Sequence, residues 1–132
     1  MNTAMSTETI AANAAVAREH IVRRLELEFD DCHRALVALQ ANLAPVLALT
    51  HGTPQHEILH KIGCIEHSAE RLPRVLVTMQ AVAFMLDIVR GGGSVSFAST
   101  EAEARMEAAL VQGDATTARA WLEARKRLTG AY

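Results

Sequence analysis

Residues 22–46 read VRRLELEFDDCHRALVALQANLAPV, and the spacing of their apolar members sets the architecture. Val22, Leu25, Phe29, Cys32, Leu36, Leu39, Leu43 and Val46 follow one another at intervals of three and four without a miss. On a helix that alternation keeps one stripe turned toward a partner helix over its whole length. Glu19, Arg23, Arg24, Glu26, Asp30, Asp31 and Arg34 fall off the stripe, where water reaches them. Upstream, the helix can begin near Ser6 or Thr7, leaving residues 1–6 polar and flexible. Downstream, Pro45 should kink or end it, because proline lacks the N–H that bonds back one turn.

A turn follows at Thr50-His51-Gly52-Thr53-Pro54, where Gly52 suits a left-handed C-cap, Thr53 an N-cap and Pro54 the first helical position. From there Ile58, Ile62, Ile65, Ala69, Leu72, Leu76, Met79, Ala83 and Leu86 repeat the alternation. The pattern passes through Pro73, which predicts one long helix kinked there or two helices abutting. Gly91-Gly92-Gly93 ends it. Beyond Pro73 the stripe widens, with Val75, Val82 and Val89 on one side and Val77, Phe84 and Ile88 on the other. A helix apolar nearly all round is buried on several faces. Two helices cannot surround it, so the C-terminal segment or a second protein must cover it. Val77, Phe84, Met85 and Ile88 are the residues expected at a homodimer or partner interface.

The C-terminal segment reads as a loop from Ser94 to Ser99, anchored by Val95 and Phe97. Thr100 and Glu103 form a capping box that opens a helix to about Gln112. Gly113 then closes that helix, Asp114 caps the next, and Ala118, Trp121, Leu122, Arg125 and Leu128 carry it to Gly130. The run from Ala109 to Asp114 resembles one unit of a tetratricopeptide array. Without a second copy it reads as an ordinary helical hairpin.

Composition narrows the function. Half the residues are apolar but only 4% are aromatic, the signature of packed helices rather than sheets. A net charge of −2, with basic residues scattered among acids, offers no field for nucleic-acid phosphates or an anionic membrane. Neither nucleic acid nor membrane is an expected partner. The longest apolar region, Val75–Val89, is interrupted by Thr78, Gln80 and Asp87 and falls short of the roughly 20 residues of a membrane span. Two cysteines do not make a disulfide framework, and the first seventeen residues carry no Lys or Arg to start a secretory signal. A cytoplasmic location is expected.

One motif suggests catalysis. His56-Glu57-Ile58-Leu59-His60 matches H-E-x-x-H, in which two histidines share a helix face to bind zinc and the glutamate serves as general base. Gly63 stands where a metzincin has its glycine, but position 66 is Glu and His67 comes one residue late. No strand precedes Thr53, whereas zincin proteases set this helix beneath a sheet. At 100° per residue, His56, His60, Cys64 and His67 fall within an arc of about 80°, roughly opposite the Ile58/Ile62/Ile65 stripe. Plain metal binding by His56, His60 and Cys64 or His67 is one alternative function, and an HExxH-type metallohydrolase using His56, Glu57 and His60 is a second. Neither outranks surface histidines on an amphipathic helix. No cofactor is expected, zinc being the one candidate. Cys32 lies on the first stripe and reads as a small core hydrophobe, not a nucleophile. The glycine triplet follows a helix instead of preceding one, so it is no phosphate cradle. The chain is not expected to be an enzyme.

His33-Arg34-Ala35-Leu36, the turn Gly52-Thr53-Pro54-Gln55-His56, then Ile65-Glu66 and the apolar helix to Leu86 together resemble the TraM-type antiactivators of quorum sensing. The resemblance covers residues 30–88. It implies a small dimeric protein built on two long antiparallel helices that binds a LuxR-type transcription factor and blocks its dimerisation or DNA contact. The expected fold is all-α: two long antiparallel helices over residues 7–93, the second kinked near Pro73, and a helical hairpin over residues 94–132. These form a single-domain helical bundle expected to dimerise. A secretion or assembly chaperone has the same small, acidic, helical profile and stands as a further alternative.

Overall fold

A computed structural model describes residues 6–130. Four helices fill them: α1 (Thr7–Leu47), α2 (Gln55–Arg90), α3 (Val95–Val111) and α4 (Ala115–Thr129). Among the described residues there is no strand. The protein is all-α, a helical bundle. Residues 1–5 of the segment expected to be flexible lie outside the described residues, while Ser6 caps α1, its hydroxyl accepting from the Thr9 N–H.

α1 and α2 run antiparallel. Arg18 near one end of α1 reaches the Val89 carbonyl near the end of α2, Arg90 pairs with Glu26, and Asn42 donates to Ser68 farther along. α1 ends two residues after Pro45, and α2 continues through Pro73 as one helix. The turn between them departs from the sequence reading. Thr53 turns its hydroxyl back to accept from the Thr50 N–H, so it does not cap α2, and Pro54 takes the capping position instead. Gly52 is not in the left-handed region, because α1 closes on Ala48 four residues earlier.

The far end of α2 behaves as the glycine triplet predicts. Gly92 has φ +88°, and the Gly93 N–H bonds to the Ile88 carbonyl at 2.9 Å. A Cβ on Gly93 would sit 2.6 Å from Ile88 Cγ2 and 2.9 Å from the Ile88 carbonyl oxygen, so only glycine fits without displacement. This tight reversal lets α3 start at Val95, earlier than the capping box at Thr100 suggests. Ser94 takes the Phe97 N–H and outcompetes Thr100, whose hydroxyl donates to the Ser96 carbonyl from inside the helix. Asp114 caps α4 as expected, and Gly130 closes it with φ +73°.

The core lies at the end of the long pair where the hairpin docks. Leu25 of α1 meets Ala81, Val82, Met85, Leu86 and Val89 of α2, Ala98 and Ala102 of α3, and Trp121, Ala124 and Leu128 of α4. The four alanines let helix backbones approach closely around the larger side chains. Arg24 locks the hairpin to α1, donating to the carbonyls of Arg127 and Leu128 at the C-terminus of α4. There its positive charge also meets the negative end of the helix dipole. Arg127 completes the tie through Glu28 at 3.1 Å. By length and hydropathy alone α2 would suffice to cross a membrane, contrary to the shorter span expected from residues 75–89. In its second half Ala81, Val82, Met85, Leu86 and Val89 pack against α1, α3 and α4, while Leu76 and Ala83 stay exposed.

Leu25→Ala should cost about 2–5 kcal/mol, as a fully buried large side chain, against about 1 kcal/mol or less for exposed Leu27→Ala. Gly93→Ala should lose about 1–3 kcal/mol through the forced shift of Ile88. Urea titration checks all three as a lower midpoint at unchanged slope. Asp114, its carboxyl held below the usual range by the hydroxyl and N–H of Thr117, contributes stability that is present above its ordinary value of 3.8 and fades as pH falls below it. Asp114→Ala should therefore lower the melting temperature at pH 7 more than at pH 2.5 (roughly a unit below that value).

Candidate functional site

The structure distributes the expected site residues unevenly. His56, His60, Cys64 and His67 are all exposed on the first half of α2. Only His60 and Cys64 come together, with Nε2 4.0 Å from Sγ. Among the described residues no group of three or more His, Cys, Asp or Glu side chains is placed to hold a metal ion. Glu57 is salt-bridged to Lys61 at 3.7 Å, one turn away on the same helix.

Val77, Phe84, Met85 and Ile88 lie on the side of α2 that the hairpin covers. Met85 has no exposed area, and the other three are partly buried against the core. Phe84 meets Trp121 edge-on at 5.7 Å, and the Arg105 guanidinium stacks 4.3 Å from the centre of the Phe84 ring. The chain's own C-terminus thus supplies much of the cover that a partner was expected to give, and Met85 has no surface to offer one.

The uncovered area lies elsewhere. No residue from His33 to Val77 is buried, although this stretch holds half of the first apolar stripe and most of the second. α3 and α4 shield only the other end of the long pair, and only one side of it. On that side a cleft is lined by charged groups: Glu28, Asp31, Arg71, Arg74, Glu123 and Arg127. The opposite side is open. Near its base, Phe29, Ala83 and Leu86 floor a groove of about 450 Å³, rimmed by Arg23, Glu26, Asp30, Asp87 and Arg90.

Seven-residue steps extend this open side along both helices. Phe29 continues through Leu36 and Leu43 on α1, and Ala83 through Leu76, Ala69 and Ile62 on α2. In a supercoiled pair a heptad repeat holds its face. Leu76 is 43% exposed and Leu43 39%, while Ala69 and Ala83 are exposed too. The next positions outward add Val37, Leu47 and Leu59, the last two 75% and 61% exposed. The adjoining positions His33, Gln40, Pro73 and Gln80 carry no formal charge at pH 7 with neutral histidine, whereas Glu66 does.

Periodicity missed this face because it treated each stripe as a single contact. The bond from Asn42 to Ser68 shows that Ser68, and not Ala69, meets α1. Buried Thr78, Val82 and Val89 continue that contact line, one position away from the Ala69–Leu76–Ala83 line. The signal was nevertheless present: α2 carries two adjacent apolar heptad lines where a two-helix contact needs fewer.

The fold and this surface define an all-α helical bundle with one uncovered helix-pair face. Comparison with protein-family models, with curated proteins and with solved structures returned no match.

The two thiols should differ sharply in reactivity. Burial, then the nearby carboxylates of Glu28 and Asp31, push the Cys32 thiol up to about 11, so it stays protonated at neutral pH. Cys64 is exposed. Alkylation of the native protein at pH 8 (about half a unit below an ordinary thiol) followed by mass spectrometry should label Cys64 alone, with Cys32 reacting after denaturation.

Proposed function

We propose that this chain is a regulatory protein that acts by binding other proteins, without catalysis. Its proposed target is a LuxR-type transcription factor, which it would keep from dimerising or contacting DNA in the cytoplasm. The observation that carries the protein-binding reading is the open α1/α2 face. It joins exposed aliphatic side chains into one continuous area, whereas scattered apolar residues on a surface need no explanation. The resemblance of residues 30–88 to TraM-type antiactivators supplies the class of target.

The groove around Phe29 is the proposed docking point for that target. An aromatic anchor within a charged rim has the composition of an interface hot spot. Pro73 contributes to the same face. It removes the N–H that would bond the Ala69 carbonyl, and a bend there would set the curvature offered to a partner.

Co-expression with a LuxR-type activator and its reporter promoter should lower reporter output. Phe29→Glu should restore it, with binding of the purified regulator weakened about 30-fold or more, as expected for loss of a hot-spot side chain worth ~2 kcal/mol. Unchanged reporter output with native protein, at normal expression, would reject the target class.

A further inference from the structure

We infer that the charged cleft on the hairpin side is a binding site for a compact dianion bearing carboxylate or phosphate groups, held by Arg71, Arg74 and Thr78. The cleft lies on the flank away from the Phe29 groove, and its occupation does not depend on the protein-binding reading. Three helix faces meet there. Arg71, Arg74, Val75 and Thr78 follow at steps of three, one and three along α2 and so share one face. Glu28, Asp31 and Cys32 present the facing side of α1, and Glu123 and Arg127 close the cleft from α4. The space between them is about 250 Å³. That falls below the range that takes drug-sized ligands and suits an ion with a few carbons.

The balance of charge selects an anion. Each acid around the cleft already has a cation: Glu28 pairs with Arg127 at 3.1 Å, Glu123 with Lys126 at 3.5 Å, and Asp31 with Arg34. Among the described residues neither Arg71 nor Arg74 has an ion-pair or hydrogen-bond partner. Two guanidiniums one turn apart on a helix repel each other, and they leave the cleft with two positive charges in excess. The Cys32 thiol, pushed up by burial, stays protonated at neutral pH and offsets neither. Arginine grips planar carboxylates and phosphates through paired N–H groups, so two arginines match a double negative charge.

Thr78 is the independent sign of a ligand. Its side chain is only 6% exposed, yet its hydroxyl has no hydrogen-bond partner among the described residues. Thr100 and Thr129 satisfy theirs on the carbonyl four residues back, an option that Thr78 leaves unused. No buried side-chain oxygen or nitrogen among the described residues is both sealed from solvent and unpartnered, so this hydroxyl opens onto the cleft it lines. A buried hydroxyl without a partner is costly, and a ligand oxygen accepting from it removes that cost. Arg74 and Arg71 stand about 6 and 10 Å along the helix from Thr78, a span that an arginine side chain and a phosphate or short dicarboxylate cover together.

Isothermal titration calorimetry of the full native chain, in low-salt buffer free of phosphate, tests this with sodium succinate and inorganic phosphate as separate probes. Three bonds to a charged acceptor predict one-to-one binding, with a Kd between about 1 mM and 1 µM for at least one probe. The tighter of the two tells whether carboxylate or phosphate is the natural group. Arg71→Gln/Arg74→Gln should weaken binding about 100-fold or more, and Thr78→Val, which keeps the shape of the side chain, about 10-fold. Arg119→Gln, exposed on α4 outside the cleft, should leave it unchanged. Should Thr78→Val lose its helical circular dichroism, Thr78→Ala replaces it with the same expected loss. A flat titration and an unmoved melting temperature with both probes at about 10 mM, tenfold above the weaker limit, overturn the inference. So does binding that survives the arginine pair or Thr78 variant, that Arg119→Gln also abolishes, or that acetate matches in affinity.

Discussion

Two long helices laid side by side cannot enclose a core. Each turns one narrow line toward the other and leaves the flanks of that line half wet. The chain resolves this at one end, where α3 and α4 fold back over α2 and Leu25 becomes fully buried among residues of all four helices. It does not resolve it at the other, where the same kind of aliphatic stripe continues from His33 to Val77 without a buried residue. The asymmetry is a matter of length. At about 1.5 Å per residue, α3 and α4 reach only some 25 Å each, against about 60 Å for α1.

The closed end uses small residues and charge together. Alanines at 81, 98, 102 and 124 hold backbones near one another, so Trp121, Met85 and Leu128 can fill the remaining volume. The polar ties sit at the margin of that packing. Arg24 on the α4 terminus, Glu28 with Arg127, and Arg125 with Ser99 and Glu103 orient the hairpin while keeping their charges partly solvated. Exposed pairs of this sort contribute little energy each. Their role is to fix which way the hairpin lies.

Helix content, the two long elements and the C-terminal hairpin were legible because they rest on local rules: three-four spacing, glycine termination and the Asp114 cap. Boundaries failed where two capping groups competed, as with Ser94 against Thr100 and Thr53 against its own turn. The candidate surface was harder. Phe84 and Val77 looked adhesive because they stood off the main stripe, yet the C-terminal hairpin, beyond the glycine triplet, supplied Trp121 and Arg105 to meet Phe84. No local rule tells which flank a distant hairpin will choose. That choice, made through Arg24 and Trp121, also determined that Leu43 and Leu76 on the other flank would remain outside.

A chain with all its buried residues at one end holds its backbone bonds with unequal strength. The turn at 48–54 sits farthest from Leu25, and the helices leading to it borrow their order from the anchored end. Opening can begin at that tip and run inward like a zip, stopping where Cys32 and Thr78 first leave water. Amide protons between Cys32 and Val82 would then record distance from the anchor, exchanging faster toward Leu49 and slower toward Val82, so that one molecule carries a graded scale of local opening along two continuous rods.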